Sequence, residues 1–311
     1  MAGTVIEGYR VVTPVSIAAM PLSDGAAAPA DHVTPPPWDR LGVNIPSIGV
    51  DVDWWRGVAM RAEEIGVGSA WCWDHFISRG TKSDPVLELW TTLTAAATST
   101  RRIRLGSFVA NVMNRHPALL ARMAATFQEV SGGRLILGMG IGGYRAEHLA
   151  YGMPFPDAAE RAARLEDAVA VLHALWTGGP VTRASPFYPL ERAWAYPRPE
   201  PAPPIVIGGQ TRAGARLAAR IADGWTAFET FARDLPAFEE TLRRLGRSRA
   251  DVATYAALRV DVEEGRDGGV WLTDPRAELG RWRARGADHV IVNPRRRHQV
   301  EPFLEALERE R

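Results

Sequence analysis

Asp74 and His75 close the apolar run Ser69-Ala-Trp-Cys-Trp-Asp-His. A histidine at such a strand end can exchange a proton near neutral pH or hydrogen-bond a cofactor ring. The plainer alternative has Asp74 capping a turn and His75 at a satisfied edge. A second apolar run, 103–112, leads into Val112-Met-Asn-Arg-His-Pro. There Arg115 and His116 can line a pocket rim or hold an anion, or simply belong to a capped turn. Further on stands a glycine fingerprint, Gly138-x-Gly140-x-x-Gly143. In a Rossmann unit such glycines bring backbone against a pyrophosphate, and an acid roughly twenty residues later binds the ribose. Glu160 is in range but lies in an alanine-rich amphipathic stretch, so an NAD-dependent Rossmann dehydrogenase stays an alternative.

The better phosphate candidate is Ile205-Val-Ile-Gly-Gly-Gln-Thr-Arg, which runs into a helical pattern from Ala213. Gly208 and Gly209 free backbone N–H groups, Thr211 offers a hydroxyl, Arg212 supplies charge, and a helix N-terminus favours an anion. An ordinary strand-to-helix turn is the bland counterpart. Neither an HExxH helix nor a GxSxG elbow occurs, and the seven histidines lack metal-ligand spacing, so no metal is expected. Cys72, the sole cysteine, sits between Trp71 and Trp73 and reads as a small buried hydrophobe.

The elements that must position these residues follow from periodicity. Short apolar runs predict strands near 41–46, 69–73, 103–112, 134–140, 204–208, 224–228, 253–262 and 289–293. Helical stripes fill the gaps: Trp54, Trp55, Val58, Ala62 and Ile65 in 53–65, and Leu120, Met123, Ala124 and Phe127 in 117–130. Asp84-Pro85 predicts a capped start for a helix over 84–99, and Asp274-Pro275 repeats the signal. The clearest helix is 157–176. Strands alternating with helices in this number predict an α/β fold, a (β/α)8 TIM barrel over 41–311. Residues 178–203, rich in proline, read as an insertion after the fourth strand near the active-site mouth. Residues 1–40 read as a poorly ordered N-terminal extension.

Composition narrows the partners. Of 311 residues 46% are hydrophobic and 23% charged, as in an ordinary globular protein. A net charge of +1 provides no drive toward nucleic acid or an anionic membrane. No apolar run reaches the roughly 18 residues that span a bilayer. Glu7 and Pro14 speak against a signal peptide, so a cytoplasmic location is expected.

In this order, the pieces resemble the luciferase-like monooxygenase superfamily, most closely its coenzyme F420-dependent branch. The resemblance runs from Leu41 to Trp225. Its carriers are Ala62-Glu-Glu-Ile-Gly-Val, Trp73-Asp-His, Gly106-Ser-Phe-Val-Ala-Asn, Asn114-Arg-His-Pro, Ser131-Gly-Gly-Arg-Leu-Ile-Leu-Gly-Met-Gly, Pro203-Pro-Ile-Val-Ile-Gly-Gly and Ala222-Asp-Gly-Trp. It implies a barrel holding F420, or alternatively FMN, at the C-terminal mouth. The ring would be backed by a bulge with a non-proline cis peptide near Phe108-Val109. His75 would stand at the redox-active edge as proton donor or acceptor, with Asp74 beside it and Asn111 near the polar edge. Arg115, Gly140, Gly208, Gly209, Gln210 and Thr211 complete the implied cofactor site. The implied activity is hydride transfer to or from a small organic substrate. An FMN-dependent monooxygenase and a non-catalytic cofactor-binding barrel are the alternatives, and a homodimer is a family-level expectation. Sugar-phosphate dehydrogenases of the branch carry a tryptophan and a glutamate where this chain has Arg79 and Gly143, which argues against a sugar-phosphate substrate.

Overall fold

A computed structural model describes residues 37–260 and 268–311. Most of the expected extension (1–40) and the end of the strand expected at 253–262 lie outside the described residues. The elements run β1 (Trp38–Asn44), α1 (Val52–Ile65), β2 (Val67–Cys72), α2 (Leu89–Ser99), β3 (Arg104–Ser107), β4 (Ala110–Asn111), α3 (Pro117–Ser131), β5 (Leu135–Gly140), α4 (Arg145–Ala150) and α5 (Ala158–Leu175). They continue with β6 (Val181–Arg183), β7 (Leu190–Ala193), β8 (Ile205–Gly208), α6 (Arg212–Ile221), β9 (Gly224–Ala227), α7 (Phe231–Arg244), β10 (Ala253–Val260), α8 (Gly268–Thr273), α9 (Pro275–Ala284), β11 (His289–Pro294) and α10 (Arg297–Arg309).

Parallel pairing runs β3-β2-β1-β11-β10-β9-β8-β5-β4, and β3 also pairs with β5, so the sheet closes on itself. β3 and β4 are one barrel strand interrupted at Phe108-Val109, which leaves eight staves. This closed barrel excludes the open Rossmann sheet that the glycine fingerprint had left as an alternative.

Alternation along each strand sorts the side chains into two cores. Inward positions form a cluster of Trp71, Phe108, Ile136, Val206, Tyr255, Ala257 and Ile291. Outward positions meet the helices in a much larger apolar layer that includes Leu41, Val43, Trp55, Leu93, Leu137, Leu172 and Phe303. Trp71 fills the barrel interior because its neighbours lack side chains. A Cβ on Gly106 would stand 2.2 Å from its Cε3, and one on Gly42 2.7 Å from its Nε1.

Helix ends follow their residues. Asp51 accepts the Trp54 amide at 2.8 Å and Gly66 ends α1 at φ 97°. Pro117 opens α3 and Gly132 ends it at φ 65°. Asp274 caps α9 through the Ala277 amide. Arg134 of the Ser-Gly-Gly-Arg run is buried and donates to Ser131, Thr100, Ile103 and Ala97, so it ties the turn before β5 to the one before β3.

Two expectations change. Asp84-Pro85 does not start α2; Glu88 is the cap and accepts the Thr91 amide at 2.7 Å. Residues 85–87 instead pair with 47–49, through Gly49 N to Pro85 O at 2.9 Å and Leu87 N to Ser47 O at 2.8 Å. A tertiary partner for the backbone outweighs the local cap signal. The 178–203 insertion forms the hairpin β6–β7 against α3 and α5. Asp167 of α5 binds Ser185 and Arg183, Tyr188 meets the His116 ring, and Gln128 of α3 donates to Pro201 O. The hairpin therefore covers the barrel's flank, and none of its residues is among those lining the cavity described next.

Candidate active site

A cavity of about 910 Å³ lies at the C-terminal ends of the barrel strands, within the range of cofactor pockets. Asp74, His75, Phe108, Val109, Asn111, Gly140, Gly208, Gly209, Gln210 and Thr211 all line it. Of the residues expected at the site, Arg115 and the anion candidates His116 and Arg212 do not.

Its floor is the break between β3 and β4. The Phe108-Val109 peptide is cis, at the position expected. Phe108 packs edge-on against Trp71 and Phe228, at 5.9 and 5.4 Å. The glycine row makes room for this bulge. A Cβ on Gly138 would lie 2.0 Å from the Ser107 carbonyl oxygen, and one on Gly140 2.7 Å from Val109 Cγ2. Gly142, at φ 74°, would meet the Asn111 amide at 2.6 Å, and Gly208 faces Val109 from the other side. A Cβ on Gly143 would meet nothing within 4 Å. The fingerprint thus serves strand packing, with no pyrophosphate turn.

His75 donates from Nδ1 to Glu147 Oε2 at 3.0 Å. Glu147, on α4, is 2% exposed and accepts the Phe76 amide and, at 3.1 Å, the Ile77 amide through its other oxygen. Burial alone would raise its carboxyl. The hydrogen bonds from His75 and the two amides prevail and hold it below the ordinary glutamate value. An ionised acceptor places the proton of a neutral imidazole on Nδ1. Nε2 is then left as a lone pair with no partner among the described residues, on a side chain 26% exposed that lines the cavity.

Asp74 plays a different part from the one expected. Arg115 grips it with both terminal nitrogens, Nη1 to Oδ2 at 2.8 Å and Nη2 to Oδ1 at 2.9 Å, and the Asn111 amide adds a third bond at 2.8 Å. Burial alone would lower the arginine pKa, but the Asp74 carboxylate prevails and raises it. A carboxylate so gripped holds the bulge in place. Arg115 reaches the site only through it. Asn111 is also committed, its Oδ1 to Met113 N at 3.0 Å and its Nδ2 to His148 Nε2 at 3.1 Å. His148, fully buried, leans its Nδ1 on Tyr144 O at 3.3 Å, a consistent chain of donors and acceptors.

On the opposite wall, β8 turns into α6. The Gly209 amide is already spent on Thr226 O at 2.9 Å, which corrects its expected role as a free donor. Its lack of a side chain lets the turn lie against Gly214, whose backbone a Cβ would approach to 2.8 Å. Thr211 caps α6 by accepting the Gly214 amide at 3.1 Å, and Gln210 accepts the Phe228 amide at 3.0 Å. The donors left for an anion are the first-turn amides of Arg212 and Ala213, which no helix can satisfy internally. Thr226 Oγ1 is buried on the cavity wall without a partner among the described residues. A buried hydroxyl of this kind is what a bound polar ligand completes.

The fit to a deazaflavin is therefore good: a bulged floor flanked by glycines, an orphaned hydroxyl, and a helix start for a phosphate. Sequence reasoning missed Glu147, Tyr144 and His148, all on the segment after β5. That segment carries a histidine, a glutamate and two tyrosines within eight residues, the signal that was available.

Among known proteins, residues 41–268 match the family model for luciferase-like monooxygenases. An F420-dependent glucose-6-phosphate dehydrogenase of Microbacterium testaceum is 34% identical over 66% of this chain and 63% of its own length. One from Nakamurella multipartita is 32% identical over 76% of this chain and 71% of its length. The chain thus spans less than two thirds of the first relative. In structure, an F420-dependent secondary alcohol dehydrogenase in complex with an F420-acetone adduct superposes with a TM-score of 0.75, at 20% identity, covering 86% of this chain and 97% of that one.

Proposed function

The chain belongs to the luciferase-like monooxygenase family, and from that premise we propose that it is an F420-dependent oxidoreductase acting on a small organic substrate. The observation that carries this reading is one cavity joining the Phe108-Val109 bulge, the α6 start and the His75–Glu147 pair. The relatives named for F420 support the choice of deazaflavin over FMN.

When bound, the deazaflavin supplies the hydride chemistry. The chain's own residues do the rest. Phe108 and Val109 would back the ring, and Gly140 and Gly208 leave the room that the Val109 side chain occupies. The Arg212 and Ala213 amides would take the phosphate, and Thr226 Oγ1 would gain a partner. An alcohol that loses hydride also loses its hydroxyl proton, and a carbonyl that gains hydride takes one up. His75 Nε2 holds that proton in either direction, while Glu147 fixes the tautomer and balances the imidazolium charge. Ile141, Leu165, Leu217 and Phe228 on the walls exclude water.

Arg79 and Gly143 line the same cavity. They stand where the sugar-phosphate dehydrogenases of the branch carry tryptophan and glutamate, so we assign a substrate other than glucose 6-phosphate and place small secondary alcohols and ketones first. The test is turnover of F420 against a panel of secondary alcohols, ketones and glucose 6-phosphate, with His75→Ala alongside. The reading expects turnover that His75→Ala abolishes while F420 affinity is kept. A binding protein without catalysis would show affinity and no turnover on any substrate.

A further inference from the structure

A second cavity, of about 580 Å³, lies at the opposite end of the barrel, where the strands begin. The alternation that turns Gly42, Trp71, Gly106, Ala257 and Ile291 inward also turns inward the residues two positions earlier. These are Arg40, Ser69, Arg104, Tyr255 and His289, and all five line the cavity. Barrels ordinarily fill such layers with branched apolar side chains. Here the layer holds two guanidinium groups, an imidazole and two hydroxyls.

The positive charge is under-compensated. Arg104 makes no ion pair or side-chain hydrogen bond among the described residues, and Arg40 has only Asp39 at 3.6 Å and a contact with His289 Nε2 at 3.4 Å. Of the nearby carboxylates, Glu63 is spent on the amides of Arg101, Arg102 and Ile103, Glu64 is exposed, and Asp288 is held by Arg249 and Thr254. Tyr255 is 3% exposed, stacks on the His289 ring at 4.7 Å, and its hydroxyl has no partner among the described residues. Burial, then the charges of Arg40 and Arg104, push the His289 imidazole down to about 4, against the weaker pull of Asp288 and Asp39. A neutral His289 accepts from Arg40.

We propose that this basin binds a tetrahedral oxyanion, as free phosphate or as the phosphate of a small monoester. Arg40 and Arg104 supply the charge, and the Tyr255 and Ser69 hydroxyls and the His289 ring supply directional contacts. This inference is independent of the cofactor reading, since the two cavities share no lining residue.

The experiment titrates the whole chain with inorganic phosphate and, separately, with glycerol phosphate, by calorimetry. The imidazole resonances of His289 are followed by NMR in parallel. The inference expects binding that Arg104→Gln weakens roughly tenfold or more, the loss of one charge-assisted contact. It also expects the His289 titration midpoint to rise when the anion is bound. Tighter binding of glycerol phosphate than of phosphate identifies a monoester ligand, and the reverse identifies the free ion. Absence of binding, or binding that leaves His289 unmoved and survives Arg104→Gln, overturns the site. The NMR readout on the native chain keeps the test valid even if the substitution perturbs folding.

Discussion

Glu147→Gln is the sharpest perturbation of the proposed proton relay. It keeps the size of the side chain and an oxygen for the Phe76 and Ile77 amides, so the fold is spared an unpaired donor. What changes is the group facing His75 Nδ1 across 3.0 Å. An amide NH2 turned there donates, which moves the imidazole proton to Nε2 and removes the lone pair from the cavity side. The negative charge that balances the imidazolium is lost as well. A hydrogen bond to a charged group contributes about 1.5–3 kcal/mol. At 1.36 kcal/mol per decade, kcat should fall about 10- to 100-fold. F420 affinity, measured by fluorescence, should stay within about twofold, because Glu147 acts through His75. The carboxyl is held below its ordinary value in the folded chain, so its contribution to stability is present at neutral pH and is lost as pH falls through that lowered value. The stability gap between wild type and Glu147→Gln should therefore close in acid. An unchanged kcat in Glu147→Gln, with the substrate that gives turnover, would refute the relay.

The remaining predictions concern the supporting structure. Gly138→Ala places a Cβ against the Ser107 carbonyl and should cost at least about 1–3 kcal/mol in chemical denaturation, whereas Gly143→Ala should be neutral. Arg115→Met strands the Asp74 carboxylate at 3% side-chain exposure and should destabilise by about 3–5 kcal/mol, read from the same denaturation curves. Thr226→Val removes a buried hydroxyl that has no partner among the described residues. It should leave the ligand-free chain as stable or more so, yet weaken F420 binding by about 0.5–1.5 kcal/mol in a titration.

Much of the architecture was legible because barrel strands are short apolar runs bounded by turn residues. All eight staves fall where the periodicity predicts them, and the helix caps at Asp274 and Gly132 follow local chemistry. What failed is what depends on distant partners. Asp84-Pro85 has a sound local reading, but the backbone there finds residues 47–49 instead. The Gly209 amide was expected to face a ligand, and its donor is spent across to β9. His75 and Asp74 were marked by their place at a strand end, but their roles come from partners far along the chain, Glu147 and Arg115. No spacing rule joins residues that far apart. The glycine fingerprint is the clearest case: Gly138 and Gly140 are placed by the bulge on the neighbouring strand, a relation visible only once the barrel is closed.

Equilibrium titration of the purified chain with F420 and with FMN, followed by fluorescence, tests the central claim most directly. The account predicts saturable F420 binding that is tighter than FMN binding and is weakened by Thr226→Val. Preferential binding of FMN would contradict it.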